Sequence, residues 1–546
     1  MSASGFNLSR VFSTVAEAVP DQEVLVWRDQ RFTYAQLDAR ITGLARFLAG
    51  RGLGCRTPRA ELAGHELGQD TVGLYLRNGN QYLEAMVASY RARLAPYNVN
   101  FRYVAEELRY LFADAGTRVL VYGGEFAPRV AEIREELSHL ELLIQVDDGS
   151  GTPLLPGAVA YEDAVATTGG DLPEPDPDDL FVLYTGGTTG MPKGVLWRQD
   201  DIYVNAMGGT PFGSTEPFGS YEEIAECARN GAGGMRLVMI PPFMHGAAQW
   251  STFHTITNGG CILLTDDVVH LDPPSVLEMA IRERAVSIPV VGDAVARPLV
   301  EELERGDYDL SGLAAVNNGG APLSPAIRAR LLEALPHILL LDAVGSSETG
   351  LQMSSYSAAG GAPEVGTFDP VPNTVVLDDL LEHVLEPGTE ETGWLAQRGR
   401  VPLGYLGDAA KTARTFPVVD GVRYAVPGDR ARVLEGGRIQ LLGRSATTIN
   451  SGGEKIFAEE VERAMAGHPD IADVIVVGRP SERWGSEVVA VVALREGSEA
   501  TDEDLLAECA RHVAPYKVPK AVMRRPLIQR SPSGKADYRW ANAQVG

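Results

Sequence analysis

The stretch Tyr184-Thr-Gly-Gly-Thr-Thr-Gly-Met-Pro-Lys-Gly194 follows an apolar run at residues 181–184. A strand that leads into a turn rich in glycine and threonine offers backbone N–H groups and hydroxyl groups to an anion. Glycine also lets the backbone approach a phosphate group closely. The stretch therefore predicts a phosphate-binding loop at the end of a buried strand.

Two other interpretations of this stretch compete with that one. The P-loop of nucleoside triphosphatases, G-x-x-x-x-G-K-[ST], needs Ser or Thr after its lysine, but Gly194 follows Lys193 here. Pro192 also removes a backbone donor where that motif begins its helix. A flexible linker has a similar composition, but linkers are seldom tied to an apolar strand.

In its order of residues, the stretch resembles the signature loop of the adenylate-forming superfamily. This superfamily comprises acyl- and aryl-CoA synthetases, adenylation domains of peptide synthetases, and luciferases. The resemblance covers nearly the whole chain, from the helical pattern at residues 33–48 to Lys535. It implies that the ATP phosphates are held by Thr185, Gly186, Gly187, Thr188, Thr189, Gly190 and Lys193.

Length and pattern predict an α/β protein with more than one domain. The chain has 546 residues, too many for a single core. Apolar strands alternate with helical patterns, which favours mainly parallel sheets. After about residue 443 the pattern becomes α+β. We expect a large N-terminal domain with several subdomains at residues 1–445, and a small C-terminal domain at 446–546, which the resemblance implies is mobile.

The chain carries a formal net charge of -25, which disfavours binding to nucleic acid or to an anionic membrane surface. We find no export signal and no apolar run long enough to span a membrane. The four cysteines form no CxxC pair, which indicates a reducing cytoplasm. The sequence leaves the oligomeric state open, with a homodimer as one option.

The chemistry of ATP requires a carboxylate for Mg²⁺, because the charge of the phosphates must be offset before pyrophosphate leaves. Residues 344–348, Val-Gly-Ser-Ser-Glu, are expected just after a strand and resemble the family's aromatic-Gly-x-Thr-Glu motif. The resemblance implies that Glu348, with Thr185, holds Mg²⁺, and that Gly345, Ser346 and Ser347 contact the nucleotide. Val344 replaces the usual aromatic residue, which removes a stacking surface for adenine.

Two further segments complete the predicted nucleotide site. Gly319, Gly320, Ala321 and Pro322 resemble the family's adenine segment, and Asp342 stands where the family often bonds the adenine amino group. A plain turn is the alternative for the two glycines. Tyr424-Ala-Val-Pro-Gly-Asp429 resembles the family's ribose motif with Pro427 in place of a hydroxyl residue. We predict that Asp429, supported by Arg444, binds the ribose.

The C-terminal part supplies the remaining groups by resemblance. Lys535, in Ser-Pro-Ser-Gly-Lys, matches the lysine that bridges the acyl carboxylate and the α-phosphate. Gly452 and Gly453 match the segment past which the pantetheine of CoA enters. Ala446 stands where the family usually has Asp or Lys as the pivot of a domain rotation, which puts the balance between two conformations in doubt.

The acyl pocket is the least defined site in the sequence. His245 resembles a gating residue near the substrate carboxylate and is also predicted to be catalytic, whereas a core or loop histidine is the alternative. Further walls follow by fold analogy. None of them is cationic, which favours an apolar acid over an amino acid. The predicted walls are Gln249, Trp250, Val290, Val291 and Asn317.

These features predict an ATP-dependent acid:CoA ligase that forms an acyl-adenylate and then a thioester, with release of AMP and pyrophosphate. Segments 61–66, 97–101 and 196–201 look like actinobacterial fatty-acyl and steroid side-chain CoA ligases. This resemblance implies a fatty acid or a steroid side-chain acid as substrate, with Mg²⁺ as cofactor and ATP and CoA as co-substrates. The alternatives are an acyl-AMP ligase serving a carrier protein, a luciferase-type oxidoreductase, and a nucleotide-binding module without catalysis.

Overall fold

The computed structural model describes residues 5–185, 191–211, 213–361, 366–444, 447–451, 454–481, 485–513, 515–530 and 535–545. Two large sheets precede a smaller α+β unit that begins near residue 448. This arrangement confirms the predicted α/β class. Within those ranges, every helix is too short or too polar to cross a membrane.

The strands follow one another along the whole chain. In order they are β1 (Glu23–Trp27), β2 (Gln30–Thr33), β3 (Thr71–Tyr75), β4 (Ala95–Asn98), β5 (Thr117–Gly123), β6 (Leu142–Val146), β7 (Val159–Ala160), β8 (Leu180–Thr185), β9 (Lys193–Arg198), β10 (Arg236–Met239), β11 (Cys261–Leu264), β12 (Ser287–Val290), β13 (Ala315–Gly319), β14 (Leu339–Ser346), β15 (Gly350–Ser357), β16 (Thr367–Pro370), β17 (Thr374–Leu377), β18 (Gly393–Arg398), β19 (Gly404–Tyr405), β20 (Val418–Val419), β21 (Val422–Ala425), β22 (Asp429–Val433), β23 (Ile439–Arg444), β24 (Thr448–Ser451), β25 (Glu454–Phe457), β26 (Ile471–Ser481), β27 (Gly485–Leu494) and β28 (Ala521–Arg524).

The helices are interspersed among these strands. In order they are α1 (Leu8–Ala18), α2 (Tyr34–Ala49), α3 (Asn80–Arg91), α4 (Ala105–Asp114), α5 (Ala127–Ile133), α6 (Tyr161–Val165), α7 (Gln199–Ala206), α8 (Tyr221–Gly231), α9 (Gly246–Thr257), α10 (Pro273–Arg282), α11 (Gly292–Arg305), α12 (Pro325–Ala334), α13 (Ala409–Thr415), α14 (Ala458–Ala466), α15 (Asp502–His512) and α16 (Tyr538–Val545). Short 3-10 helices span Arg59–Glu61, Gly124–Phe126 and Arg134–Glu136.

The two large sheets place their strand ends near one another. In the 15-stranded sheet, β11, β10, β12, β13 and β14 run parallel, and the sheet continues as antiparallel strands from β15 onward. The 8-stranded sheet has the order β19-β9-β8-β4-β3-β5-β6-β7 and is parallel from β8 to β7. Ligands of such sheets bind beyond the carboxyl ends of the strands, where the loops converge.

Asn98, at the end of β4, ties these loops together. Its side-chain amide donates hydrogen bonds to the carbonyl of Tyr184 at 2.8 Å and to that of Met244 at 2.7 Å. Its carbonyl oxygen accepts a hydrogen bond from the N–H of Tyr184 at 2.7 Å. Because Asn98 is buried, these bonds are shielded from water and fix the start of the threonine- and glycine-rich loop beside His245.

Several predictions of local structure were wrong. The glycine-rich sequence at residues 208–234 predicts a long loop, but it contains α8, which Ser220 caps by accepting a hydrogen bond from the N–H of Glu223. The sequence after residue 513 predicts a final loop, but it contains β28 and α16. Residues 344–348 do not simply follow a strand, because β14 runs through Ser346.

The smaller unit has its own core between β26–β27–β28 and helices α14, α15 and α16. This packing agrees with the predicted α+β character of the C-terminal part. The predicted domain boundary at residues 445 and 446 lies outside the described residues, and so does the pivot position Ala446. That boundary stays a prediction.

Candidate active site

The phosphate loop departs from the edge of the 8-stranded sheet. Thr185 ends β8 and pairs with Lys193, which begins the antiparallel strand β9, so the two strands form a hairpin. The ammonium group of Lys193 pairs with the carboxylate of Asp408. The loop residues Gly186, Gly187, Thr188, Thr189 and Gly190 lie outside the described residues, and their predicted contacts with ATP stay predictions.

Glu348 lies beside this hairpin, held by a neighbouring tyrosine. The hydroxyl group of Tyr405 donates a hydrogen bond of 2.8 Å to Oε1 of Glu348. The indole N–H of Trp197, on β9, donates to the carbonyl of Ser347 at 2.9 Å. The 344–348 segment is therefore fixed against the strand that carries Lys193, and the predicted Mg²⁺ carboxylate lies near the predicted phosphate loop.

Lys411 joins the same group of side chains, although the sequence analysis did not select it. Its ammonium nitrogen lies 4.0 Å from the centre of the Tyr405 ring. Burial, followed by the positive charge of Lys193, lowers the pKa of Lys411. Among the described residues, no carboxylate lies within ion-pair distance of this ammonium group. Two lysines, Lys193 and Lys411, and two carboxylates, those of Glu348 and Asp408, thus lie close to one another beside β9.

The predicted adenine segment is held from beneath by Asn318. Its side chain accepts a hydrogen bond from the N–H of Gly292 at 2.8 Å and donates one to the carbonyl of Ala321 at 3.1 Å. Gly320 adopts a φ of +78°, which side chains with a Cβ rarely adopt, and it is exposed. The backbone of this segment is therefore accessible to a flat base.

Asp342 lies beneath this segment in a buried ion pair. Its carboxylate lies 2.6 Å from the guanidinium group of Arg328 and accepts a hydrogen bond of 2.8 Å from Asn318. Both partners are themselves buried. The predicted hydrogen bond of Asp342 to an adenine amino group stays a prediction, and the geometry gives this carboxylate a structural role in supporting Asn318.

Strand pairing and one turn determine where the remaining residues of the predicted nucleotide site lie. Asp429 begins β22, and its backbone pairs with that of Arg444 on β23, as the predicted ribose site requires. Ser346 donates its N–H to the hydroxyl group of Thr349 at 3.0 Å, so the turn after Gly345 is closed. The side chain of Arg444 and the whole of Gly452 and Gly453 lie outside the described residues.

His245 is the residue before α9. Burial first, and then the positive charges of Lys535 and Arg102, lower its pKa from 6.5 to about 4. The imidazole is therefore neutral at pH 7. Lys535 belongs to the C-terminal unit, and its charge acts on His245, so these two predicted residues are coupled electrostatically.

The residues predicted to line the acyl pocket have different neighbours in the structure. Gln249 is buried and donates a hydrogen bond of 2.7 Å to the carbonyl of Phe243, so it supports the loop before His245. Asn317 donates one of 2.8 Å to Ser287. Val291 lies against the adenine segment at Gly320. Trp250 packs against Gly246 next to His245 and remains the best-placed wall residue.

The sequence analysis missed Tyr405, Asp408, Lys411 and Arg102. The first three belong to one short segment, Gly404-Tyr-Leu-Gly-Asp408 followed by α13, whose glycine and aspartate are typical of a helix entry near a ligand. The aspartate before this helix is a recognisable N-cap in the sequence, and it could have drawn attention to the segment. Arg102 had no such signal, since it is one arginine in a polar loop.

Comparisons with known proteins agree with this arrangement. Residues 12–406 match the family model of the AMP-binding enzyme, and residues 460–535 match that of the AMP-binding enzyme C-terminal domain. The chain is 54% identical over 544 residues to the medium-chain acyl-CoA ligase Mig of Mycobacterium avium, covering 99% of this chain and 98% of the relative. It is 37% identical to a 3-oxocholest-4-en-26-oate–CoA ligase of Rhodococcus rhodochrous, covering 99% of this chain and 96% of the relative.

Solved structures show the same fold at low identity. The anthranilate CoA ligase AuaEII in complex with anthranoyl-AMP superimposes with a TM-score of 0.80 at 20% identity, covering 100% of this chain and 99% of that one. ATP-bound MatB from Rhodopseudomonas palustris gives a TM-score of 0.78 at 21% identity, covering 98% of each chain. With both family models matched in order along the chain, the protein belongs to the family of AMP-binding enzymes.

Proposed function

We propose that this enzyme is an ATP-dependent acid:CoA ligase that acts through an acyl-adenylate. The observation that carries the proposal is that the charge of Lys535, from the C-terminal unit, lowers the pKa of His245, the residue before α9 in the large domain. A lysine delivered by a separate unit suits a charge that is needed in one half-reaction and absent in the other. Relatives that span nearly the whole chain are named as acyl-CoA ligases.

The first half-reaction joins two anions, which the cationic residues of the site offset. A carboxylate oxygen attacks the α-phosphorus of ATP, the new O–P bond forms, and the bond to the pyrophosphate oxygen breaks. Lys535 would stabilise the charge that develops at the α-phosphate, and Lys193 and Lys411 would hold the leaving pyrophosphate. His245, neutral at pH 7, would pack beside the substrate carboxylate without adding charge.

Glu348 fits a magnesium ion brought by ATP. One carboxylate oxygen accepts the hydrogen bond from Tyr405, and the other accepts none from the described residues. Mg²⁺ in nucleotide sites is held by one or two carboxylates together with phosphate oxygens. We propose Glu348 and Thr185 as its protein ligands. The ion would supply charge neutralisation on the phosphates.

The second half-reaction uses CoA as acceptor. The thiol sulfur attacks the carbonyl carbon of the acyl-adenylate, the bond to AMP breaks, and the thiol proton leaves to solvent. We propose that the backbone near Gly452 and Gly453 lines the entrance for pantetheine, and that the C-terminal unit begins at residue 446. A carrier protein in place of CoA is the remaining alternative for the acceptor.

The substrate is proposed to be a fatty acid or a steroid side-chain acid. The names of the relatives support both classes, since one is a medium-chain acyl-CoA ligase and another acts on 3-oxocholest-4-en-26-oate. Trp250 gives the region next to His245 an apolar surface. All four cysteines are free thiols, which supports the cytoplasm as the compartment.

A pyrophosphate-release screen tests this proposal. Purified full-length enzyme is incubated with ATP, Mg²⁺ and single acids from C6 to C18 or with steroid side-chain acids, each with and without CoA. We expect acid-dependent pyrophosphate release and, with CoA, a thioester detected by mass spectrometry. Pyrophosphate without thioester would indicate another acceptor, and no release with any acid would contradict acyl adenylation.

A further inference from the structure

Helix α11 contacts the predicted adenine segment through its first turn. The N–H of Gly292 donates to Asn318 at 2.8 Å, and Oδ1 of Asp293 accepts a hydrogen bond of 2.7 Å from the N–H of Ser324. The segment between Asn318 and Ser324 is therefore held at both ends by the same helix turn. A Cβ added at Gly292 would clash with the carbonyl of Pro322 at 2.6 Å, so the fit is close.

One turn further along, the same helix contacts the C-terminal unit. The guanidinium group of Arg297 lies 2.9 Å from Oδ2 of Asp293 and donates a hydrogen bond of 2.9 Å to the carbonyl of Ala472. Ala472 lies in β26. Arg297 is largely buried, so water competes weakly for this contact. It connects the large sheets directly to the smaller unit.

Asp473, the residue after Ala472, binds Arg530, which lies five positions before Lys535. The carboxylate of Asp473 accepts hydrogen bonds of 2.7 and 2.5 Å from the guanidinium group of Arg530. Arg530 also pairs through its backbone with Ala536, so the two flank the segment that carries Lys535. Burial opposes the charge of Arg530, but its bond with Asp473 and the nearby carboxylates of Glu462 and Asp293 raise its pKa.

We propose that Arg297 and Asp293 form, with Ala472, Asp473 and Arg530, a docking contact that positions Lys535 for adenylation. This inference rests on the proposed function. The chain of contacts runs from the adenine segment through α11 to β26 and then to the base of the Lys535 segment. Binding of a nucleotide on that segment would therefore favour the docked arrangement, because Asp293 takes part in both contacts.

Arg297→Ala tests the inference in the full-length enzyme. Acid-dependent pyrophosphate release measures adenylation, and thioester formation from a preformed acyl-adenylate and CoA measures the second half-reaction. We expect pyrophosphate release to fall about 10-fold, within the range of typical coupling between sites. Thioester formation should stay within about 2-fold of the parent enzyme.

Controls separate docking from damage to the fold. Arg305→Ala removes an exposed arginine from the end of the same helix and should change neither rate. Arg297→Lys should retain more pyrophosphate release than Arg297→Ala, since the lysine keeps the positive charge and can donate a hydrogen bond to the carbonyl of Ala472. Equal loss of both half-reactions, or no loss in either, would overturn the inference. Failure of the parent enzyme to release pyrophosphate would instead contradict the proposed function.

Discussion

The ammonium group of Lys535 acts on the imidazole of His245, although one belongs to the C-terminal unit and the other to the large sheets. Burial is the main cause of the low pKa of His245, and the charges of Lys535 and then Arg102 lower it further. The pKa of His245 can therefore be used to detect the charge of Lys535.

Lys535→Ala should raise the pKa of His245 above about 4, but not to 6.5, because burial persists. The measurement is an NMR titration of the histidine Cε1–H signals, with the His245 signal assigned by its loss in His245→Gln. An unchanged pKa in the Lys535→Ala variant would mean that the ammonium group does not approach the imidazole in solution.

The same low pKa predicts a pH dependence of stability. The unfolded state binds a proton at His245 near pH 6.5, whereas the folded state binds it only near pH 4. The free energy of unfolding should therefore fall as the pH drops from about 6.5 to about 4, by up to about 3 kcal/mol. Urea unfolding at several pH values should show a smaller decline for His245→Gln than for the parent enzyme.

Lys535→Ala should also separate the two half-reactions. Acid-dependent pyrophosphate release should drop by about 100-fold or more, as expected when a group that stabilises transition-state charge is removed. A preformed acyl-adenylate should still yield the thioester with CoA. Full pyrophosphate release in the variant would falsify the assignment of Lys535.

Glu348→Gln should abolish most of the pyrophosphate release, because the amide no longer offers a charged ligand for Mg²⁺. Tyr405→Phe should act more mildly, since it keeps the carboxylate of Glu348 and removes the 2.8 Å hydrogen bond that orients it. We expect the Mg²⁺ concentration at half-maximal activity to rise about 10-fold in Tyr405→Phe. If both variants keep the parent's Mg²⁺ dependence, Glu348 is not a metal ligand.

Lys411→Met tests the proposed pyrophosphate site. Loss of the ammonium group near Lys193 should raise the KM for ATP and weaken product inhibition by pyrophosphate, each by about 10-fold, while thioester formation from acyl-adenylate is unchanged. Lys411→Arg should recover most of both effects. Lys517→Met, which removes a lysine paired with Glu460 in the C-terminal unit, is the matched control.

The sequence predicted best what a single segment determines. The strand predicted at residues 181–184 exists as β8, Leu180–Thr185. The helix α2 was likewise readable, because Thr33 and Gln36 form a capping box at its start.

The sequence failed where a residue's partner comes from a distant segment. No residue close in sequence to Asp342 indicates its ion pair with Arg328, and none close to Gln249 indicates its hydrogen bond with Tyr82. Lys411 was missed for the same reason, since its site is created only when α13 packs beside Glu348. Pairings of this kind depend on tertiary packing, which the periodicity of one chain does not encode.

The C-terminal unit provides a last test, at a carboxyl group that no half-reaction uses. Burial and the negative charge of Glu459 raise the pKa of Glu462 to about 8. Glu462 accepts hydrogen bonds from the N–H of Val476 at 2.9 Å and from the hydroxyl group of Tyr538 at 3.3 Å. It therefore links α14 to the start of α16, three positions beyond Lys535.

Because the pKa of Glu462 is higher in the folded state than its ordinary value of 4.5, its contribution to stability is complete below pH 4.5. The contribution is lost as the pH rises toward about 8, at about 1.4 kcal/mol per pH unit. Glu462→Gln removes the ionisable group but keeps a carbonyl oxygen as hydrogen-bond acceptor. The urea midpoint of this variant should therefore decline less between pH 5 and pH 8 than that of the parent enzyme. Glu503→Gln, an exposed site on α15, should leave the decline unchanged. Parallel curves for the parent enzyme and Glu462→Gln would show that this carboxyl group ionises normally.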